Sequence, residues 1–140
     1  TFEIKPGDIA VVHSGAGGVG LLLTRYIKSL GGKVIATAST DAKRAKTIAA
    51  GADLAIDYKD FSKPVKDFTN GIGANVIYDG VGKDTFDEGL LSLRRRGTLA
   101  VFGAASGQVA PIEIMKILNI FMMPLILLKI KTPLGNIVVK

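Results

Sequence analysis

Apolar runs alternate along this chain with stretches whose apolar residues recur every three or four positions, and glycines or polar turns separate the two. Ile9 to His13 is short, apolar and mostly β-branched, as expected of a strand buried on both faces. Leu21, Leu22, Tyr26, Ile27 and Leu30 then follow helical spacing, with Arg25 and Lys28 at polar positions and Gly31-Gly32 as the stop. The same alternation predicts a second strand from Lys33 to Ala38, a helix from Asp41 to Ala50 capped by Thr40, and a short third strand from Leu54 to Ile56. Ser62 is expected to cap a helix running through Thr69, with Pro64 in its first turn. A fourth strand (Ala74 to Tyr78), a helix (Asp84 to Leu93) and a fifth strand (Gly97 to Phe102) follow. Ile112 to Leu118 reads as a helix and Ile120 to Met123 as a sixth strand. Residues 124–140 form an atypical C-terminal tail, apolar and basic without a clear period.

This rhythm predicts an α/β fold: a doubly wound parallel sheet of about six strands in three α/β/α layers, the Rossmann arrangement, over residues 1–123. Its organising corner is Gly15-Ala16-Gly17-Gly18-Val19-Gly20, a G-x-G-x-x-G run set between the first strand and the first helix. Gly15 is expected to allow the tight turn, Gly17 to let the backbone approach a pyrophosphate, and Gly20 to let the helix pack closely. The first amides of that helix, at the positive end of its dipole, would face the phosphates. The plain alternative is a glycine-rich corner that binds nothing.

Composition narrows the picture. The 140 residues suit one domain, and 48% hydrophobic residues exclude global disorder. Without cysteine there is no disulfide framework and no thiolate chemistry, which fits a cytoplasmic protein. The formal charge of +6 raises nucleic acid as a partner, yet the basic residues are spread along the chain. Their one cluster, Arg94-Arg95-Arg96, falls at the end of a predicted helix, where cations complement the dipole; DNA is not expected as a partner. The longest uncharged apolar stretch, Ile117 to Leu128, is too short for a membrane span, which takes about 20 residues.

In such a sheet the ligand lies across the carboxyl ends of the strands. An NAD enzyme places a carboxylate about 20 residues after the glycine run to accept hydrogen bonds from the ribose 2′-OH. Here the second strand ends in Thr37-Ala38-Ser39-Thr40, uncharged, with Asp41 late enough to serve as a first-turn helix acid. Ser39 leaves room and a hydroxyl, and Lys43 supplies a point charge for a 2′-phosphate, so NADPH is the expected cofactor. Tyr58 could bond the same phosphate, pack beside the adenosine, or be an ordinary strand-end tyrosine. Asp79 is either a general base or, preferably, an acceptor for loop amides, and His13 is expected in the core rather than in catalysis. One histidine and no cysteine argue against a zinc site. With no catalytic set among these spacings, the chemistry falls to the cofactor.

Lys5-Pro6-Gly7-Asp8, His13 with Ala16 to Gly20, Gly51-Ala52-Asp53, the run Asp79-Gly80-Val81-Gly82-Lys83-Asp84-Thr85-Phe86 and Phe102-Gly103 together resemble the zeta-crystallin-like NADPH:quinone oxidoreductases. These are the zinc-independent branch of the medium-chain dehydrogenase/reductase superfamily. The resemblance spans about Thr1 to Pro111. It implies that Ala16, Gly17, Gly18 and Val19 line the pyrophosphate and that Ser39, Lys43 and Tyr58 surround the 2′-phosphate. Val81, Phe102, Gly103 and Ala104 would lie along the nicotinamide half. It further implies a quinone or α,β-unsaturated carbonyl as substrate, a homodimer, and an N-terminal GroES-like domain that this chain lacks. The isolated chain would then bind NADPH weakly. The chain departs from the pattern at Gly15, where many relatives carry alanine, in the short loop 59–63, and at Met123 before Pro124. An enoyl reductase module of a polyketide or fatty-acid synthase and a non-catalytic dinucleotide-sensing or RNA-associated module are the alternatives.

Overall fold

A computed structural model of the chain describes residues 2–111, 127–132 and 135–139. Its strands are β1 (Ile9–Val12), β2 (Lys33–Thr37), β3 (Leu54–Ile56), β4 (Ala74–Asp79), β5 (Leu93–Val101), β6 (Leu127–Thr132) and β7 (Gly135–Val139). They form one sheet in the order β3-β2-β1-β4-β5-β6-β7. All neighbours pair in parallel except β7, which runs antiparallel to β6. The described helices are α1 (Gly18–Ser29), α2 (Asp41–Ala49), α3 (Ser62–Phe68) and α4 (Phe86–Ser92).

The period-two geometry of strands divides their side chains between two cores. Val11 and Ile35 pack with Phe61, Val65, Phe86 and Leu90, whereas their neighbours Ala10, Val12, Val34 and Ala36 pack with Ile27 of α1. Each fully buried valine or isoleucine contributes about 1.5–3 kcal/mol relative to its exposed state. The sheet is therefore covered on both faces, as the unbroken apolar runs of β1 and β2 require. From β1 the chain steps outward to β2 and β3, then returns to place β4 and β5 on the other side. At this reversal the loops leaving β1 and β4 diverge, which opens a crevice at their carboxyl ends.

Several elements differ from the sequence pattern. α1 begins at Gly18 rather than Leu21, because Leu21 already donates a helical hydrogen bond to Gly17 O at 2.9 Å. Ser62 is not a cap. Phe61 occupies that position, and the Ser62 amide donates to Glu88 Oε2 at 3.1 Å. β5 starts at Leu93, directly after α4, and absorbs Arg94 to Arg96. Ala74 pairs with Leu93 but Val76 with Thr98, so the ladder shifts register across the arginines, where Arg96 adopts a φ of 62°. These residues are therefore an exposed irregularity of a strand rather than the last turn of a helix.

The expected helix Ile112 to Leu118 and strand Ile120 to Met123, with the departure at Met123, lie outside the described residues. Within the tail, β6 and β7 extend the sheet to seven described strands, one more than expected. The alternation of Leu128 and Ile130 with Lys129 and Lys131 is the strand signal there.

Candidate functional site

The corner after β1 is built by close backbone approach. Ser14 takes the left-handed conformation, with φ of 52°, and its carbonyl accepts the Gly17 amide at 2.9 Å. Gly15 owes its identity to packing rather than to the turn. A Cβ there would stand 2.8 Å from Ala36 Cβ and 3.0 Å from Thr47 Cγ2, and its amide donates to Thr37 O at 2.9 Å. At Gly20 a Cβ would lie 2.4 Å from Ser14 O, so only glycine lets α1 begin directly against the turn. The amides of Gly18, Val19 and Gly20 precede the first helical bond and form the electropositive end of α1.

Beside this corner lies a cleft of about 260 Å³. It brings together five of the residues singled out from the sequence, Ala16, Gly17, Ser39, Lys43 and Tyr58, and adds Ser14 and Ala38. Gly18 and Val19 are in the first turn of α1 and do not line it; Val19 is 59% exposed. The Tyr58 hydroxyl accepts the Ser14 amide at 2.9 Å and lies 3.3 Å from Ser14 Oγ. It thereby ties the end of β3 to the glycine corner.

Charge at the end of β2 is sorted by one arginine. Arg44 donates to Asp41 Oδ1, to Asp57 Oδ2 at 3.3 Å and to the Ala38 carbonyl at 2.8 Å. Asp41 thus belongs to α2, as its place in the first turn suggested, and Lys43 is the cation that lines the cleft.

A second group forms where the loops after β4 and β5 meet. Asp79 is fully buried; Oδ1 accepts the amides of Val81 (2.8 Å) and Gly82 (2.9 Å), and Oδ2 accepts the Thr85 hydroxyl at 2.7 Å. Its carboxylate is spent on the loop, the role preferred over a general base. The Phe102 amide donates to Asp79 O at 2.9 Å. A Cβ on Gly80 would touch the Phe102 ring at 3.0 Å, and one on Gly103 would lie 2.7 Å from Gly80 O. Ser106 fastens the loops together, donating its hydroxyl to Val81 O at 2.8 Å and accepting the Asp84 amide at 3.0 Å. Val81, Phe102, Gly103 and Ala104 are thereby held in one place, with Phe102 44% exposed. Nothing in Gly103-Ala104-Ala105-Ser106-Gly107 distinguishes Ser106 as that bracket, because its partners come from another loop.

His13 sits beneath the cleft, 2% exposed, with Nδ1 bonded to Thr37 Oγ1 at 2.8 Å and its ring edge-on to Phe61. Nε2 is buried without a partner. Burial, opposed by the charge of Asp79, pushes the imidazole down to about 4, so it is neutral at physiological pH. It is a core residue, as expected.

Residues 18–139 match the family model described as zinc-binding dehydrogenase. The chain belongs to the zinc-binding dehydrogenase family. A probable quinone oxidoreductase of Schizosaccharomyces pombe is 48% identical over 113 residues, which are 81% of this chain and 34% of that protein. A mycobacterial quinone oxidoreductase superposes with a TM-score of 0.84 at 44% identity, covering 91% of this chain and 39% of that one. Escherichia coli quinone oxidoreductase complexed with NADPH superposes with a TM-score of 0.81 at 38% identity, covering 89% and 39%. The chain spans about a third of the length of the curated relatives it matches.

The described residues of this chain form no site for the metal in the family's description. The chain has no cysteine, its one histidine is buried and bonded to Thr37, and no cluster of three metal-ligating side chains occurs among the described residues. Among the described residues no helix is long and apolar enough to cross a membrane.

Proposed function

We propose that this chain is the NADPH-binding part of a quinone oxidoreductase-like enzyme that reduces a quinone or an α,β-unsaturated carbonyl. The observation that carries the reading is the cleft joining the glycine corner to the uncharged end of β2, with Lys43 in its wall and no carboxylate lining it. The free amides at the start of α1 suit the diphosphate. Ala16 and Gly17 bound it, with Gly18 and Val19 in the turn above. Ser39, Lys43 and Tyr58 surround the 2′-phosphate, Lys43 as a point charge. Val81, Phe102, Gly103 and Ala104 form the floor of the nicotinamide half, which Asp79 and Ser106 hold rigid.

NADPH, when bound, supplies a hydride that an electron-poor acceptor takes up together with a proton. The residues of this chain bind and orient the cofactor. A domain outside the chain would form the opposite wall of the cleft, so the isolated chain should bind more weakly than the whole enzyme. We place that enzyme in the cytoplasm as a homodimer, joined at the sheet edge where β7 leaves a strand face unpaired within the described residues.

Calorimetric titration with NADPH and NADH tests the reading. NADPH is expected to bind more tightly, and Lys43→Ala to weaken NADPH by roughly tenfold while leaving NADH unchanged. Equal affinity for the two dinucleotides in the unaltered chain would overturn it.

A further inference from the structure

We propose that Arg44 sets the dinucleotide preference of the cleft without touching the ligand, by holding Asp41 and Asp57 away from the phosphate subsite beside Lys43. The proposal rests on the NADPH reading and adds to it the residue that keeps the site free of negative charge.

Both acids stand next to the cleft in the chain. Asp41 is two residues before Lys43, and Asp57 immediately precedes Tyr58, yet neither carboxylate lines the cavity. Each is drawn instead to the guanidinium of Arg44, which bonds Asp41 through Nη2 and Asp57 through Nη1. The guanidinium is itself fixed by the 2.8 Å bond from Nη1 to the carbonyl of Ala38, a residue of the cleft wall. One side chain thus spans the ends of β2 and β3 and the first turn of α2. Asp57 is ionised, since the amides of Lys59 and Tyr58, together with Arg44, hold its carboxyl below the usual range.

The consequence is electrostatic. A carboxylate released toward Lys43 would neutralise that cation and repel a phosphate dianion. It would also offer the acceptor that a free ribose 2′-OH requires, the arrangement that favours NAD. Releasing the two acids therefore penalises NADPH and favours NADH. Exposed ion pairs contribute little to folding, so the effect belongs to ligand choice rather than to stability.

Calorimetric titration of the full chain with NADPH and NADH, accompanied by thermal melts, tests the proposal. Arg44→Gln keeps a polar side chain but loses the charge. It is expected to melt near the parent temperature, to weaken NADPH on the order of tenfold, and to bind NADH as well as the parent or better. Adding Asp41→Asn and Asp57→Asn to Arg44→Gln is expected to restore the NADPH preference. An Arg44→Gln chain that keeps the preference overturns the proposal. So does a triple variant that fails to regain it, because Arg44 would then act through the shape of the Ala38 backbone. If the unaltered chain shows no preference, the NADPH reading fails first, a result distinct from either.

Discussion

The phenolic oxygen of Tyr58 accepts the amide hydrogen of Ser14 at 2.9 Å, joining residues 44 positions apart. Ser14 is in the left-handed region, uncommon for a residue with a side chain, and the bond from Tyr58 helps to keep it there. The tyrosine expected at the cofactor phosphate is thus first an anchor for the glycine corner. Its ring also lies over His13, at 6.0 Å between centroids, and closes the layer beneath the cleft.

Removing that hydroxyl separates anchoring from phosphate binding. Tyr58→Phe is expected to cost about 1 kcal/mol of stability, because the Ser14 amide is exposed and can turn to water. As an anchor of the corner, the hydroxyl should support both dinucleotides, so both affinities are expected to fall by roughly three- to tenfold, NADPH the more because Tyr58 also borders its 2′-phosphate. Paired titrations check this against Lys43→Ala, which should affect NADPH alone.

Two glycines in the first turn of α1 should respond in opposite ways to alanine. At Gly18 a Cβ meets nothing within 4 Å, so Gly18→Ala is expected to stabilise by up to about 1 kcal/mol through helix propensity. At Gly20 the same methyl would lie 2.4 Å from Ser14 O and 2.7 Å from Gly15 Cα, both backbone atoms that cannot swing aside. Gly20→Ala is expected to destabilise by about 1–3 kcal/mol and to displace the corner. Urea unfolding of the two variants measures both signs.

His13 should make stability fall with acid in a defined window. Its pKa is about 4 when folded and 6.5 when free, so between these values the unfolded chain takes up a proton that the folded chain refuses. Stability is expected to be at its full value above pH 6.5, to decline as the pH falls toward 4, and to lose about 3 kcal/mol across that interval. Asp53 adds its own loss only at lower pH. Although its burial acts the other way, hydrogen bonds from Lys28 and the Val34 amide keep its carboxyl below the usual range. His13→Asn, measured by denaturant unfolding from pH 8 to pH 4, should be less stable at pH 8 and should lack the slope.

The parallel α/β arrangement was legible in the sequence because alternation, caps and glycine stops act over a few residues, and β1 to β4 with their helices fall close to their expected bounds. The strand ends were equally legible, which is why five expected residues meet in one cleft. Less legible were the elements shaped by a distant neighbour. β5 starts at Leu93 because it pairs with Ala74, and Gly15 is glycine because Ala36 and Thr47 approach it.

By itself, then, the sequence determined the β-α rhythm, the glycine corner and an uncharged end to the second strand, since each is written in neighbouring residues. Only the tertiary structure decided that Arg44 takes up Asp41 and Asp57, that Tyr58 holds Ser14, and that Ser106 joins the loops after β4 and β5. Such pairings depend on which strands lie side by side and how their ends converge, and no local spacing records that order.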